Sequence, residues 1–216
     1  ATRTLSYNKS TLPMLRRVAF HSWRRQQRSL ASLPSPPPPY IWKDGELTPW
    51  ESCNLHVLSH AVQFGASLFE GIRCYQTPRG PAIVHLEGHL RRLLDSCKIY
   101  RVDCPYDVGT LAEACFEVVH GCGISDCYLR PTVLRGYGAI GMDGIGSPIE
   151  VYVPAFTFPA YLGADAFQAG IDVCTSSWSR AAPNTFPGMA KMAGHYTNAS
   201  LIKMEAQANG YIEAIA

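Results

Sequence analysis

The sequence predicts a two-domain protein of mixed α/β class, with α/β and α+β architectures both open. Three observations carry that expectation. Strand-like and helix-like segments alternate along residues 40–216. Two stretches, Leu86–Tyr100 and Asp107–His120, repeat apolar residues at helical spacing. Short β-branched and aromatic runs between Gly and Pro turns supply the strands.

Taken in order, residues 1–39 read as a basic leader and Pro-rich linker. They hold seven basic residues and no acid. On a helical wheel Leu12, Leu15, Ala19 and Trp23 fall opposite Arg17, Arg24, Arg25 and Arg28, with Arg16 and Phe20 breaking the pattern. That composition fits a mitochondrial or plastid transit peptide, and a disordered tail is the alternative. Without a targeting role, a cytoplasmic location is expected. Pro34 to Pro39 form a stiff polyproline spacer.

Tyr40–Leu47 predicts a hairpin around Asp44-Gly45. Ser67–Gln76 and Ala82–His85 read as strands joined by Thr-Pro-Arg-Gly at 77–80. The first helix places Leu86, Leu90, Leu93, Leu94 and Cys97 on one face, and the second closes at Gly121. Asp126–Gly136, Glu150–Phe156 and Ile171–Ser177 read as strands. A last helix follows Lys191 and ends near Asn209-Gly210, and Tyr211–Ala216 begins another strand. These elements place an N-terminal α/β domain at 40–153, an interdomain loop at 154–163 and the start of a C-terminal domain at 164–216. A Pro- and Gly-punctuated junction of this kind is a common place for a ligand cleft.

Apolar residues make up 47% and charged residues 17%, which argues against disorder. No apolar run approaches the roughly 18–20 residues that span a bilayer, so no membrane role is expected. Residues 40–216 hold 12 basic and 17 acidic residues, a net of −5, so nothing in the body suggests nucleic-acid binding. Eight cysteines include no CxxC pair, and Cys97 and Cys115 fall on apolar helix faces. Reduced thiols acting as small hydrophobes are therefore expected, and no metal site.

Lys191 lies in Pro-Asn-Thr-Phe-Pro-Gly-Met-Ala-Lys191-Met-Ala-Gly-His-Tyr196, a lone lysine among small and apolar residues. A surface lysine opening a helix is the ordinary reading. An amine in a poorly solvated pocket loses its proton more easily and can attack an aldehyde, which is the functional one. Gly188 and Gly194 would allow close backbone approach beside it. Arg92, next to Arg91, reads from the residues alone as a solvated helix face. Tyr128 and Arg130, two apart on an expected strand, would point to the same face. Tyr128 and Tyr161 read equally as core aromatics. Glu70 and Arg73 read as an ordinary ion pair, and neither His60 nor His195 is given a catalytic role.

Four stretches occur in order: Ser59-His-Ala-Val-Gln-Phe-Gly-Ala-Ser-Leu-Phe-Glu-Gly-Ile-Arg73, His89-Leu-Arg-Arg92, Tyr128-Leu-Arg130-Pro, and Ser176 through Lys191 to Tyr196. Together they resemble the branched-chain amino-acid aminotransferases, enzymes of fold type IV that use pyridoxal 5′-phosphate (PLP). The likeness runs from about Tyr40 to Ala216. It implies transfer of the amino group of leucine, isoleucine or valine to 2-oxoglutarate, and a homodimer when the chain is complete. By resemblance, Lys191 bonds to the cofactor aldehyde and shuttles a proton, Arg92 binds its phosphate, and Tyr196 bonds its 3′-oxygen. Phe69, Tyr128 and Tyr161 would line the substrate pocket, and Arg130 would take the second carboxylate of glutamate. Phe64 departs from the tyrosine that bacterial relatives often carry. The chain also stops before the family's Ser-Glu-Gly stretch, whose glutamate pairs with the pyridine nitrogen, so an incomplete second domain is expected. The competing readings are a D-amino-acid transaminase, an aminodeoxychorismate lyase, or an inactive truncated fragment.

Overall fold

The computed structural model describes residues 37–158, 162 and 166–216. Residues 1–36 of the leader therefore lie outside the described residues, as do Tyr161 and residues 159, 160 and 163 of the expected interdomain loop. In chain order the elements begin with β1 (Tyr40–Lys43), β2 (Glu46–Pro49), α1 (His60–Phe64), β3 (Ser67–Phe69), β4 (Ile72–Thr77) and β5 (Gly80–Ile83). Then come α2 (Leu86–Ile99), α3 (Val108–Gly121), β6 (Cys127–Leu129), β7 (Thr132–Arg135), β8 (Ile149–Val153) and β9 (Ala155–Phe156). The remainder is α4 (Ala166–Ala169), β10 (Val173–Thr175), α5 (Tyr196–Ala208) and β11 (Glu213–Ile215). Fold class is mixed α/β, as the sequence predicts.

The β1–β2 hairpin forms where expected. Asp44 and Gly45 both take positive φ, 47° and 109°, which is what a tight two-residue turn demands. Asp44 Oδ1 also accepts a 2.8 Å bond from Val151 N–H, tying the turn to β8.

Three segments expected as single strands are each broken in two. Ser67–Gln76 becomes β3 and β4, Asp126–Gly136 becomes β6 and β7, and Glu150–Phe156 becomes β8 and β9. In every case the halves enter different sheets. One antiparallel sheet has the order β2-β1-β8-β7-β3, and the other β5-β4-β6-β9. Pro131 and Pro154 sit at two of the breaks, where a residue without an N–H cannot extend the ladder. The breaks are bonded to one another: Glu70 N–H donates to Pro131 O at 2.9 Å, and Arg130 N–H to Pro154 O at 3.0 Å. The seam between the two sheets is thus a fixed line of backbone, and it carries Glu70 and Arg130.

Helices α2 and α3 pack together against these sheets. Leu90, Leu93 and Cys97 of α2 and Leu111, Ala114, Cys115 and Val118 of α3 are buried with Leu68, Ile72, Leu129, Val133 and Val151 in one apolar cluster. The periodicity read from sequence put the right face of α2 inward. Burial pushes the thiols of Cys97, Cys115 and Cys127 up to about 12, so they stay protonated and pack as small apolar groups. Among the described residues, no helix is long and apolar enough to cross a membrane.

Candidate active site

The segment carrying Lys191 docks on the end of β3, beside the seam. Phe69 N–H donates to Lys191 O at 3.1 Å, and Leu68 and Met192 form an antiparallel bridge. On its other side, Lys191 N–H donates to Ser96 Oγ of α2 at 3.2 Å. The backbone of Lys191 is therefore held from both directions. Its side chain is half-buried, not sealed in the apolar pocket that its neighbours in sequence suggest. Nζ is hydrogen-bonded to Tyr196 Oη and lies 4.7 Å from the ring centroid of Phe69 and 4.9 Å from that of Tyr196. A 3-10 turn over Ala193–His195 leads directly into α5, which starts at Tyr196, and so folds the two side chains together. A side chain at Gly65 would meet the Gly194 backbone at 2.9 Å, whereas one at Gly188 would meet nothing within 4 Å. The close approach thus requires the glycine at 65; a side chain at Gly194 would meet Gly65 O at an ordinary 3.7 Å, so neither Gly194 nor Gly188 is needed for it.

Arg92 projects from α2 toward the same place and is gripped from behind. Its Nε and Nη2 donate to the two carboxylate oxygens of Glu70, each at 2.6 Å, and a 2.9 Å bond joins His89 Nδ1 to Glu70 Oε2. The Glu70 side chain is fully buried while that of Arg92 is 53% exposed. Burial pushes the Glu70 carboxyl up, but the bonds from Arg92 and His89 outweigh it and hold it below its ordinary value. A guanidinium has five N–H groups. Two are spent on Glu70, which leaves the Nη1 edge and one Nη2–H for a ligand. The expected Glu70–Arg73 pair is not formed. Arg73 instead donates to Phe158 O at 2.8 Å and lies over the rings of Tyr128 and Phe158. Arg91, the sequence neighbour of Arg92, pairs with Glu87 on the exposed helix face.

Arg92, Lys191 and Tyr196 line one cavity of about 290 Å³, together with Arg180, His195 and the backbone around Gly188–Ala190. Arg130 lies past the end of β6, not within a strand shared with Tyr128. The break at Pro131 still leaves its guanidinium 5.3 Å from the ring of Tyr128 and 5.3 Å from that of Phe69. Tyr128 is seated over Gly71, where any Cβ would collide with the phenol. Phe69, Tyr128 and Arg130 thus form a wall that meets Lys191 through Phe69. Tyr161 lies outside the described residues.

Residues 67–216 match the amino-transferase class IV family. The chain belongs to the class IV aminotransferases. Among curated relatives of this chain, the branched-chain-amino-acid aminotransferase of Escherichia coli strain K12 is 43% identical over 178 residues, covering 82% of this chain and 58% of the relative. The crystal structure of the Escherichia coli enzyme superposes with a TM-score of 0.80 at 43% identity, over 82% of this chain and 59% of the other. The T.th. branched-chain amino acid aminotransferase complexed with N-(5′-phosphopyridoxyl)-L-glutamate gives a TM-score of 0.76 at 41% identity, over 82% and 57%. The same enzyme with pyridoxamine 5′-phosphate gives 0.77 at 44%, over 82% and 58%. The chain spans less than two thirds of the length of the relatives it matches.

Three features of the site are not assigned by sequence alone. Arg180 lines the cavity with Arg92, and His195 borders it while sharing a 2.6 Å hydrogen bond with Tyr100 Oη. Burial, with Arg180 nearby, lowers the His195 pKa, which favours the neutral ring. Glu70 was misassigned because its partner is 22 residues away on another element. Arg180 and His195 both lie inside the fourth motif and Glu70 inside the first, but nothing in their local spacing assigned them to the cavity.

Proposed function

We propose that this aminotransferase moves the amino group of L-leucine, L-isoleucine or L-valine to 2-oxoglutarate with PLP as cofactor, giving branched-chain 2-oxo acids and glutamate. What carries the proposal is one cavity that gathers a lysine amine, a phenol bonded to it, and an arginine set in place by a buried carboxylate. These donors fit the cofactor: a half-exposed guanidinium edge beside a second arginine suits a phosphate, and the amine suits an aldehyde. Bound relatives support it, since the T.th. enzyme has been solved with pyridoxamine 5′-phosphate.

When bound, PLP supplies an aldehyde and a ring that accepts electrons from the reacting carbon. Lys191 Nζ would bond to that aldehyde and afterwards take up and return the proton of the amino acid. Tyr196 Oη, in reach of Nζ, would hold the amine and the cofactor oxygen in register. Arg92 and Arg180 would bind the phosphate. Arg130 would take the side-chain carboxylate of glutamate, while the rings of Phe69 and Tyr128 accept an aliphatic chain. Tyr161 is proposed to line the same pocket on the strength of the resemblance alone. We likewise propose an N-terminal domain at 40–153, a junction at 154–163 and the start of a PLP-binding domain at 164–216. A homodimer is supported by the apolar loop residues Ile140, Met142 and Ile145, which are 74–78% exposed. The bacterial relatives add no support for an organelle destination.

Mixing the purified chain with PLP should produce an absorption band that requires Lys191. In Lys191→Ala the band should be lost while the circular dichroism is kept. A parent chain that gives no such band overturns the cofactor assignment. With the band in hand, single-turnover decay should be faster with L-leucine than with D-alanine, and the opposite order overturns the substrate assignment.

A further inference from the structure

Ser96 is a buried serine on α2, 1% exposed, that no motif singles out. Its hydroxyl donates to Arg92 O one helical turn back at 2.9 Å and accepts the Lys191 backbone N–H at 3.2 Å. One hydroxyl thus spends its only hydrogen on the backbone of Arg92 and a lone pair on the backbone of Lys191, which accounts for both contacts chemically. The other side of Lys191 is fixed by Phe69 N–H at 3.1 Å. Lys191 and Arg92 come from segments 99 residues apart in sequence, and Ser96 is bonded to the backbone of both.

We propose that Ser96 is a positioning residue that sets the separation between the Arg92 phosphate anchor and the Lys191 amine. The proposal rests on the PLP reading above. A ligand held at both ends gains from a spacing fixed in advance, because the second contact then costs little additional ordering. A ligand held at one end gains nothing from it. Ser96 should therefore matter for PLP, which has both an aldehyde and a phosphate. It should not matter for pyridoxal, which lacks the phosphate, or for pyridoxamine 5′-phosphate, which lacks the aldehyde.

The test compares the parent chain, Ser96→Ala and Ser96→Cys, titrated with each of these three compounds and followed by hydrogen exchange of the Lys191 amide. In Ser96→Ala, PLP affinity should fall about five- to tenfold, the loss expected for one hydrogen bond. Affinities for pyridoxal and pyridoxamine 5′-phosphate should stay within about twofold of the parent. Ser96→Cys, with a weaker acceptor of similar size, should fall between. In Ser96→Ala the Lys191 amide should exchange faster by more than the lowered thermal midpoint, expected on losing a buried hydroxyl, accounts for. An equal fall for all three compounds would show a general structural role and overturn the proposal, as would no fall for PLP. If the parent itself forms no Lys191-dependent band, the PLP reading fails, and the purpose assigned to Ser96 fails with it. The amide exchange then still tells whether Ser96 ties the two segments together.

Discussion

The two regions that meet at the cavity are built differently. Residues 40–158 form two antiparallel sheets and three helices, the two long ones packed in a continuous apolar cluster with Leu68, Leu90, Leu93, Leu111, Leu129 and Val151 fully buried. Among the described residues from 166 to 216, the buried apolar side chains are Ala190, Ile202 and Ala206. The first region presents Phe69, Arg92, Tyr128 and Arg130 from strand ends and a helix that are packed on many sides. The second presents Lys191 and Tyr196, and is joined to the first by backbone bonds at β3, by the Ser96 hydroxyl of α2 and by the Tyr100–His195 hydrogen bond. Arg92 and Arg130 therefore sit on the better-packed region, and Lys191, Tyr196 and Arg180 on the region with less burial to spare.

That contrast should show most clearly in core truncations. Leu90→Ala in α2 should lower unfolding free energy by about 3 kcal/mol, measured by urea denaturation, because a fully buried leucine leaves a cavity between helix and sheet. Ile202→Ala in α5 should cost about 2 kcal/mol at most, and its effect should be local. Amides of α5 should exchange faster while those of α2 keep their protection. Equal exposure of both helices in Ile202→Ala would show that the two regions unfold as one unit and would erase the distinction drawn here.

The Glu70 network links the contrast to pH. Glu70→Gln removes a buried carboxylate from two guanidinium bonds and one imidazole bond, and should cost about 2 kcal/mol at neutral pH. The folded Glu70 carboxyl is held below its ordinary value, so its contribution is fully present above the unfolded value, near 4.3. It is lost as pH falls through the lower folded value. The gap between parent and Glu70→Gln unfolding midpoints should therefore be constant from about pH 6 to 8 and close on acidification below about pH 4. A gap that stays open in acid would show that packing, not the charge, accounts for the loss.

The sequence made some of this legible and hid the rest for physical reasons. Helical periodicity located α2 and the inward face holding Leu90 and Leu93, because burial on one side leaves a 3.6-residue signature. The Asp44-Gly45 hairpin was equally plain, since few residues tolerate that turn. The breaks at Glu70-Gly71 and Arg130-Pro131 were not legible, and Pro154 was read as the start of an interdomain loop, not as a change of sheet. Apolar runs on both sides of each break look continuous, and only the sheet partners decide where a strand changes sheets. The grouping of Lys191, Arg92 and Tyr196 followed from family motifs. The support beneath them did not, because Glu70 and Ser96 act through contacts that no local spacing encodes.

Neighbouring arginines on α2 offer the finest test of how far position decides role. Arg91 and Arg92 are chemically identical and adjacent, yet one faces solvent and the other the cavity. Arg91 pairs with Glu87 four residues earlier, with the two side chains 66% and 69% exposed, a geometry generally worth less than about 0.5 kcal/mol. Arg91→Gln should leave the unfolding midpoint and PLP binding within error of the parent. Arg92→Gln should weaken PLP more than tenfold while leaving pyridoxal, which has no phosphate, nearly unchanged. Equal weakening of PLP by both substitutions would mean that diffuse positive charge, not the fork held by Glu70, attracts the phosphate. Raising the salt concentration separates these causes, because long-range attraction between exposed charges is screened within about 10 Å at 0.1 M. The contribution of a directly bonded guanidinium should largely survive that change.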